Sequence, residues 1–362
     1  MKRACTCLIV ALATWAVVLI APAPARAELP NGSSPPAFIG AAGDWINSSP
    51  LTWADLRGKV VLVDFWEYTC VNCIRTYPYL KAWHTRYAPY GLVIVGIHRP
   101  EFEFDKSKQL VAEAVKREGF RYPILNDPQY RNWSAYHEHT WPSKYIFDQS
   151  GKLVEQHQGE GDYQETELLI QKLLHKTHPN AEFPKPLPPV RPGDRPNVAC
   201  QNETPEQYTN PHPEYHSLGN LPRGWRVNGV AQFAAPTRRL EGKIYANGSF
   251  VTRYQSLQHG RATTDLRDSI SLRYRASEVD VVVNRPSGKD YRVYAFLDGK
   301  PIPKSTKGDD LKYDARGSYL QVDFARMYNV IRGPFAAHEL RLSSDSPEFE
   351  LYSYTFSGCS QK

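Results

Sequence analysis

Residues 59–66, KVVLVDFW, form an almost unbroken apolar and β-branched run, the pattern of a strand covered on both faces. After Cys73 the segment IRTYPYLKAWHTRYAPYG sets its apolar residues at helical spacing and stops at Gly91. GLVIVGIH (91–98) predicts a second buried strand, residues 105–118 a helix closed by Gly119, and RYPILND (121–127) a third strand. A short helical turn over 127–136 and a hairpin over 143–159, turning at Gln149-Ser150-Gly151, come next. A helix over 163–175, with Leu168, Leu169, Leu173 and Leu174 at its apolar positions, ends the series. Strand and helix alternate before the closing hairpin and helix. That order predicts an α/β domain over residues 36–177, a mixed sheet with helices on both faces.

Residues 178–197, HPNAEFPKPLPPVRPGDRPN, hold seven prolines in 20 positions and read as an extended, semi-rigid linker. Beyond it the period shifts to two. SISLRYRA (269–276), EVDVVVN (278–284), YRVYAFL (291–297), SYLQVDF (318–324), HELRLS (338–343) and EFELYSYTF (348–356) predict strands, with turns at Asp298-Gly299 and Arg316-Gly317. Weaker runs near Gln232 and over 239–245 bring the number to about eight, with no convincing helix. Residues 198–362 are therefore expected to form an all-β, jelly-roll-like sandwich.

The composition is 41% hydrophobic and 23% charged, and 8 Trp, 22 Tyr and 14 Phe need packed interiors, which excludes disorder of the whole chain. The formal charge of +6 falls to +3 when Lys2, Arg3 and Arg26 are set aside with the first 27 residues. That is too little for a nucleic-acid binder, which shows a concentrated basic face. Residues 1–27 read as a cleavable export signal: Lys2 and Arg3, an apolar run over 8–21, Pro22 and Pro24, then Ala25-Arg26-Ala27 before Glu28. The run is shorter than the ~20 residues of a membrane span. Cys5 and Cys7 precede it and do not mark lipid attachment. A periplasmic or secreted protein is expected.

Cleavage leaves Cys70, Cys73, Cys200 and Cys359 in a compartment where cysteine pairs oxidise. Four cysteines allow three connectivities. Spacing favours Cys70 and Cys73 as a local redox pair, leaving Cys200 and Cys359 as a long-range bridge or as two unpaired thiols. Such a bridge would contribute roughly 5 kcal/mol at most by loop entropy.

Cys70-Val71-Asn72-Cys73 follows a buried strand and opens a helix. At a helix N-terminus the unsatisfied N–H groups and the macrodipole favour a thiolate, and a second cysteine one turn inside can attack a mixed disulfide. Strand–CxxC–helix is far more specific than CxxC alone, which zinc knuckles share. Zinc would need a second ligand pair, and Cys200 and Cys359 offer none at suitable spacing, while His137-Glu138-His139 reads as a solvated loop. No metal and no added cofactor is expected; the redox group is the Cys70–Cys73 disulfide itself.

VVLVDFWEYTCVNC resembles the thioredoxin signature, and the insertion before the later helix resembles the extracytoplasmic thioredoxin-like branch that includes TlpA, ResA and peroxiredoxin-related redoxins. VIVGIHRPEFEF, the Trp141-Pro142 region and GEGDYQETELLIQKLL are similar to the thioredoxin-like portion of DipZ-type proteins, and TPEQY (204–208) and LYSYTFSG to their C-terminal β domain. The resemblance covers most of residues 38–358. It implies a thiol–disulfide oxidoreductase in which Cys70 is the nucleophile, Cys73 the buried resolving thiol and Pro142 a cis-proline facing them. Trp141 would then present its backbone to an extended substrate. Asp64 matches the buried acid that moves a proton at the second cysteine. DipZ-type proteins carry a transmembrane electron-transfer module ahead of this region, so a separate membrane or periplasmic electron donor is expected here.

Trp66, Glu67, Tyr68 and Thr69 precede the cysteines and are expected to shape the docking surface; Trp66 and Tyr68 are the substrate-binding candidates. Glu101, after the second strand, is a candidate second proton carrier or a solvated loop acid. Val71-Asn72 replaces the usual Gly-Pro and leaves both reductant and oxidant open. The leading expectation is disulfide exchange with exported proteins. A thiol peroxidase is the alternative, although DFWEYT lacks the proline of a peroxidatic setting. The other alternative makes the β domain a carbohydrate- or protein-binding module, its tyrosines offering stacking surfaces.

Overall fold

The computed structural model describes residues 29–195, 198, 200–212 and 217–359. The expected export signal, with Cys5 and Cys7, lies outside the described residues. The N-terminal part holds six strands, β1 (Trp45–Ile46), β2 (Val60–Trp66), β3 (Leu92–His98), β4 (Ile124–Asn126), β5 (Ser143–Phe147) and β6 (Leu153–Gln158). Its helices are α1 (Val71–Tyr87), α2 (Lys108–Glu118), α3 (Arg131–Ala135) and α4 (Tyr163–His175). The strands form one sheet in the order β1-β4-β3-β2-β5-β6. β2, β3 and β4 run parallel; β1, β5 and β6 pair antiparallel. This is the thioredoxin-like mixed sheet with flanking helices that the sequence predicts.

All seven residues of β2 are buried, because its alternating side chains enter two cores. Val60, Leu62 and Trp66 pack with residues of α1, α2 and α4. Val61, Val63 and Phe65 pack on the other face with Trp45, Leu56 and Tyr136, beside Trp133 and Ala135 of α3. α2 begins three residues later than expected. Ser107 caps it by accepting the Leu110 N–H (3.4 Å), and Gly119 closes it at φ 71°.

Among its described residues the proline-rich stretch forms no strand and no α-helix, only a 3-10 turn at Pro192–Asp194, and it is not free. Phe183 and Leu187 pack against the core under α1 and α4. The Leu187 N–H donates to the Glu167 carboxylate (2.8 Å), and the Tyr79 hydroxyl donates to Asp194 (2.7 Å). Proline removes backbone donors, so the segment lies along helices without needing a ladder partner.

The C-terminal part is an all-β region of eleven strands among the described residues, three more than the periodicity suggests. They are β7 (Gln207–Tyr208), β8 (Gly229–Phe233), β9 (Ile244–Thr252), β10 (Leu257–His259), β11 (Ser269–Asn284) and β12 (Tyr291–Leu297), then β13 (Lys300–Pro301), β14 (Leu311–Asp314), β15 (Gly317–Val322), β16 (Arg326–Ser343) and β17 (Glu350–Ser357). Every ladder between them is antiparallel.

The two strands expected over 269–276 and 278–284 are one, β11. Register shifts at Ala276/Glu278 and Val279/Asp280 turn it from a β9 partner over residues 269–272 to a β17 partner over residues 278–284. β11, β17, β10 and β9 thereby close in a ring of ladders. A disulfide joins Cys200 to Cys359. Tyr245, Tyr274, Tyr291, Tyr294, Tyr328, Tyr352 and Tyr354 are buried, so most tyrosines of this region are core and not stacking platforms.

The second sheet packs against the end of the first sheet that carries the cysteines. Phe324 joins the α1-side core, and the rings of Phe102 and Phe104 each lie 4.9 Å from Tyr352. Arg75 of α1 bridges to Glu278 of β11 (3.3 Å) and to Glu160 (3.2 Å).

Candidate redox site

β2 ends at Trp66, and after a tight connection the chain turns into α1 at its N-cap, Cys70. The Cys70 sulfur accepts the Cys73 N–H (3.4 Å), one of the orphan donors of the first turn. Cys70 is half-buried and Cys73 wholly buried, and both are thiols. The first cysteine is thus partly open to solvent while the second is enclosed one turn further along the helix. Burial holds the Cys73 thiol well above its ordinary range, and the adjacent Cys70 and Asp64 push the same way; the Glu67 backbone opposes.

Asp64 shares the α1 face of β2 with Leu62 and Trp66 and is 1% exposed. Among the described residues its Oδ1 has no hydrogen-bond partner. Burial pushes its carboxyl up to about 7, against the pull of Lys144. Lys144 of β5 is the direct cross-strand partner of Asp64 and is equally buried. Its Nζ donates to the Gly159 carbonyl (3.2 Å). Burial lowers its pKa, while Asp64 and Cys73 raise it.

The Trp141–Pro142 peptide is cis. Ser143, the next residue, pairs with Phe65 of β2, so Pro142 lies at the sheet end where β2 gives way to the cysteines. Trp141 packs partly buried against the same core as Cys70 and Cys73.

Trp66 and Tyr68 do not form a docking surface. Trp66 is 1% exposed, its ring held edge-on by Tyr77, His98 and Phe120. Tyr68 is 2% exposed, stacked on His98 (5.5 Å) and beside Phe324 of the C-terminal part (6.2 Å). Both are supports under the site: Trp66 is enclosed by the N-terminal core itself, and Tyr68 is covered in part by Phe324 of the second sheet. Glu67 and Thr69 are buried as well. The Glu67 carboxylate accepts from the Thr69 N–H (2.7 Å) and hydroxyl (2.5 Å), and it lies close enough to Asp105 that burial and Glu67 together hold the Asp105 carboxyl well above its usual range.

Glu101 is partly buried, and its carboxyl is engaged by Tyr208. The Tyr208 hydroxyl lies 2.6 Å from its Oε1 and 2.9 Å from Glu206 Oε2, linking the two parts of the chain. Burial, with Glu206 and Glu67 nearby, pushes the Glu101 carboxyl up to about 8. The Glu138 carboxylate is taken up by the backbone of His139 and Thr140 and by the Tyr145 hydroxyl, so the His-Glu-His stretch is a capped turn.

Sequence reasoning missed Lys144, the Glu67–Asp105 pair, and the contribution of Tyr208. For Lys144 the signal was present: a lysine inside SKYIF, a strand whose other residues are apolar or small.

Residues 33–156 match the AhpC/TSA family, and residues 204–357 match the thioredoxin like C-terminal domain. Protein DipZ of Mycobacterium tuberculosis (strain CDC 1551 / Oshkosh) is 34% identical over 290 residues, which is 78% of this chain and 39% of DipZ. Thiol-disulfide oxidoreductase ResA of Bacillus thuringiensis (strain Al Hakam) is 27% identical over 119 residues, 33% of this chain and 66% of ResA. A solved thiol-disulfide isomerase from Corynebacterium glutamicum aligns at a TM-score of 0.35 and 22% identity, over 38% of this chain and 96% of that one. The chain thus carries an AhpC/TSA, thioredoxin-like domain, and it spans 39% of the length of the DipZ proteins it matches.

Proposed function

We propose that this chain, a thioredoxin-like relative of DipZ and ResA, is a thiol–disulfide oxidoreductase that exchanges disulfides with exported proteins through Cys70 and Cys73, in the periplasm or outside the cell. The observation that carries the reading is the partly buried Cys70, whose thiol caps α1, above a wholly buried Cys73. In the reductive direction the Cys70 thiolate attacks a substrate disulfide. One substrate sulfur leaves as a thiol and the other stays bonded to Cys70. Cys73 then attacks the Cys70 sulfur, releases the second substrate thiol and leaves a Cys70–Cys73 disulfide. Two electrons have passed to the substrate. A separate membrane or periplasmic donor returns them, and the oxidative direction runs through the same bonds in reverse.

Cys73 must lose its proton as it attacks, and burial opposes that loss. Asp64, poised to about 7, is the acceptor at hand, and Lys144 stabilises the carboxylate while it is charged. Trp141 and Pro142, beside Cys70 at the sheet end, offer the backbone on which a substrate segment adds as a strand. Glu101 is assigned to the contact between the two parts through Tyr208, not to proton transfer. The division we assign is an export signal over 1–27, a redox domain over 36–177, a linker over 178–197 and a β domain over 198–362.

The test mixes the reduced chain with a peptide disulfide. Substrate thiols should appear in step with loss of two hydrogens from the peptide that contains Cys70 and Cys73, read by mass spectrometry. A pair that stays reduced would overturn the reading, and consumption of peroxide in its place would shift it to a thiol peroxidase.

A further inference from the structure

Arg99 directly follows β3, and its backbone N–H donates to the Trp66 carbonyl (3.1 Å), which places it at the sheet end that carries Cys70. Its guanidinium carbon lies 4.3 Å from the ring centre of Tyr130, 5.0 Å from Trp133 and 4.5 Å from Trp141. Cation–π contact fixes the group in position but leaves its planar fork of N–H donors unsatisfied. Among the described residues its buried Nε has no hydrogen-bond partner. Trp141 Nε1 is in the same condition.

Both side chains line one cavity of about 480 Å³, which Glu101 and His139 also line and whose other wall is Tyr208, Asn210 and Gln255 from the C-terminal part. The Gln255 amide oxygen accepts the Glu103 N–H (2.8 Å) and the Asn210 amide oxygen accepts the His212 N–H (2.7 Å). Each amide therefore turns its NH2 into the role left to it, that of a donor. Unpaired buried donors are expensive, so a site that gathers them is built for an acceptor.

The acids near Arg99 do not fill that role. Glu101 takes the Tyr208 hydroxyl and is held toward its neutral form by burial. Asp105 is occupied by the backbone N–H groups of Glu101 and Phe102, and Asp127 by those of Arg131 and Trp133. A donor-lined cavity holding the Arg99 guanidinium remains, at the end of the sheet from which the chain enters the cysteine turn.

We infer that this cavity is a carboxylate subsite of the redox site, in which Arg99 and Trp141, faced by Asn210 and Gln255, receive a carboxylate carried by the thiol or disulfide substrate. It rests on the exchange reading above and adds a substrate class to it: a cysteine peptide with an Asp or Glu beside the cysteine, or a small thiol with carboxylates of its own. The fork of Arg99 suits a carboxylate in two-point contact, and the caging rings exclude water from one side of it. The C-terminal sheet then forms a wall of the substrate site.

The test is calorimetric binding of unreactive S-methyl analogues to the full chain. One pair is an S-methylcysteine peptide with Asp at the neighbouring position and its Asn counterpart. The other is S-methylglutathione and its carboxyl diester. The carboxylate member of at least one pair should bind about tenfold tighter or more, and the ratio should fall toward one in Arg99→Gln. A preference in the peptide pair assigns the subsite to protein substrates, and one in the glutathione pair assigns it to small thiols. Equal affinity within both pairs overturns the inference, and this comparison in the unsubstituted chain does not depend on any variant folding. A preference that survives Arg99→Gln overturns it too. If the analogues bind as expected while the reduced chain leaves every disulfide intact, the exchange reading fails and the subsite stands.

Discussion

Asp64 of β2 and Lys144 of β5 are direct partners across the central ladder, each 1% exposed. A buried pair of this kind is a poor source of stability, because desolvation of both groups offsets most of their attraction. It is a good device for holding a carboxyl between its two protonation states near neutral pH, where a thiol under the same core must give up a proton.

Asp64→Asn should slow the attack of Cys73 on the mixed disulfide by roughly a hundredfold, the usual scale of a lost general base. The rate of that step, followed by rapid quench from pH 5 to 9, should lose its inflection near 7. Stability gives an independent readout. Asp64 in the folded chain sits at about 7, above the 3.8 of a free carboxyl, so the folded state holds an extra proton between those values. The unsubstituted chain loses stability as pH rises through that window. The margin by which Asp64→Asn exceeds it should therefore grow from about pH 4 to 7 and then level off.

Lys144→Met keeps the length of the side chain and removes the one charge that opposes the burial of Asp64. The inflection in the resolution rate should move above pH 7. An inflection that stays in place would show that Lys144 does not act on Asp64.

The Tyr208 hydroxyl donates to Glu101 (2.6 Å) and also lies 2.9 Å from Glu206, so two carboxyls surround one phenol. Burial and the acidic neighbours push the Glu101 carboxyl up to about 8, although the Tyr208 hydrogen bond itself favours the carboxylate. The folded value exceeds the ordinary 4.5, so the stability this site contributes is full below about 4.5 and is lost as pH rises toward 8. Denaturant unfolding from pH 5 to 9 should show this decline in the unsubstituted chain and a shallower one in Glu101→Gln, whose amide does not titrate.

Replacing both Cys200 and Cys359 with Ser removes a disulfide with a sequence separation of 159. Unfolding of the C-terminal part should become easier by up to roughly 5 kcal/mol, measured with denaturant. Little or no change would mean that the unfolded C-terminal part is already held together without the bond.

The elements around the cysteines were legible because each has a one-dimensional signal. β2 is an apolar run broken only by Asp64, Gly119 marks the end of α2, and Gln149-Ser150-Gly151 marks the hairpin. β11 was read as two strands because its register shifts break the alternation of period two while the ladder to β16 continues. β16 hid most of its 18 residues behind Gly333-Pro334, a turn signal that the strand runs through. Lys144 sits at an alternate position of SKYIF, where a half-exposed strand would point it to solvent; here both faces are covered. Tyr68 and Glu101 took part of their surroundings from a second sheet folded more than a hundred residues later. No local pattern encodes that contact.

Trapping with Cys73→Ser is the most direct measurement. With the resolving thiol gone, substrates attacked by Cys70 should accumulate as covalent adducts in the exported fraction. They should be released by dithiothreitol and absent when Cys70 is replaced as well. Adducts that never form, or that form equally without Cys70, would contradict the account.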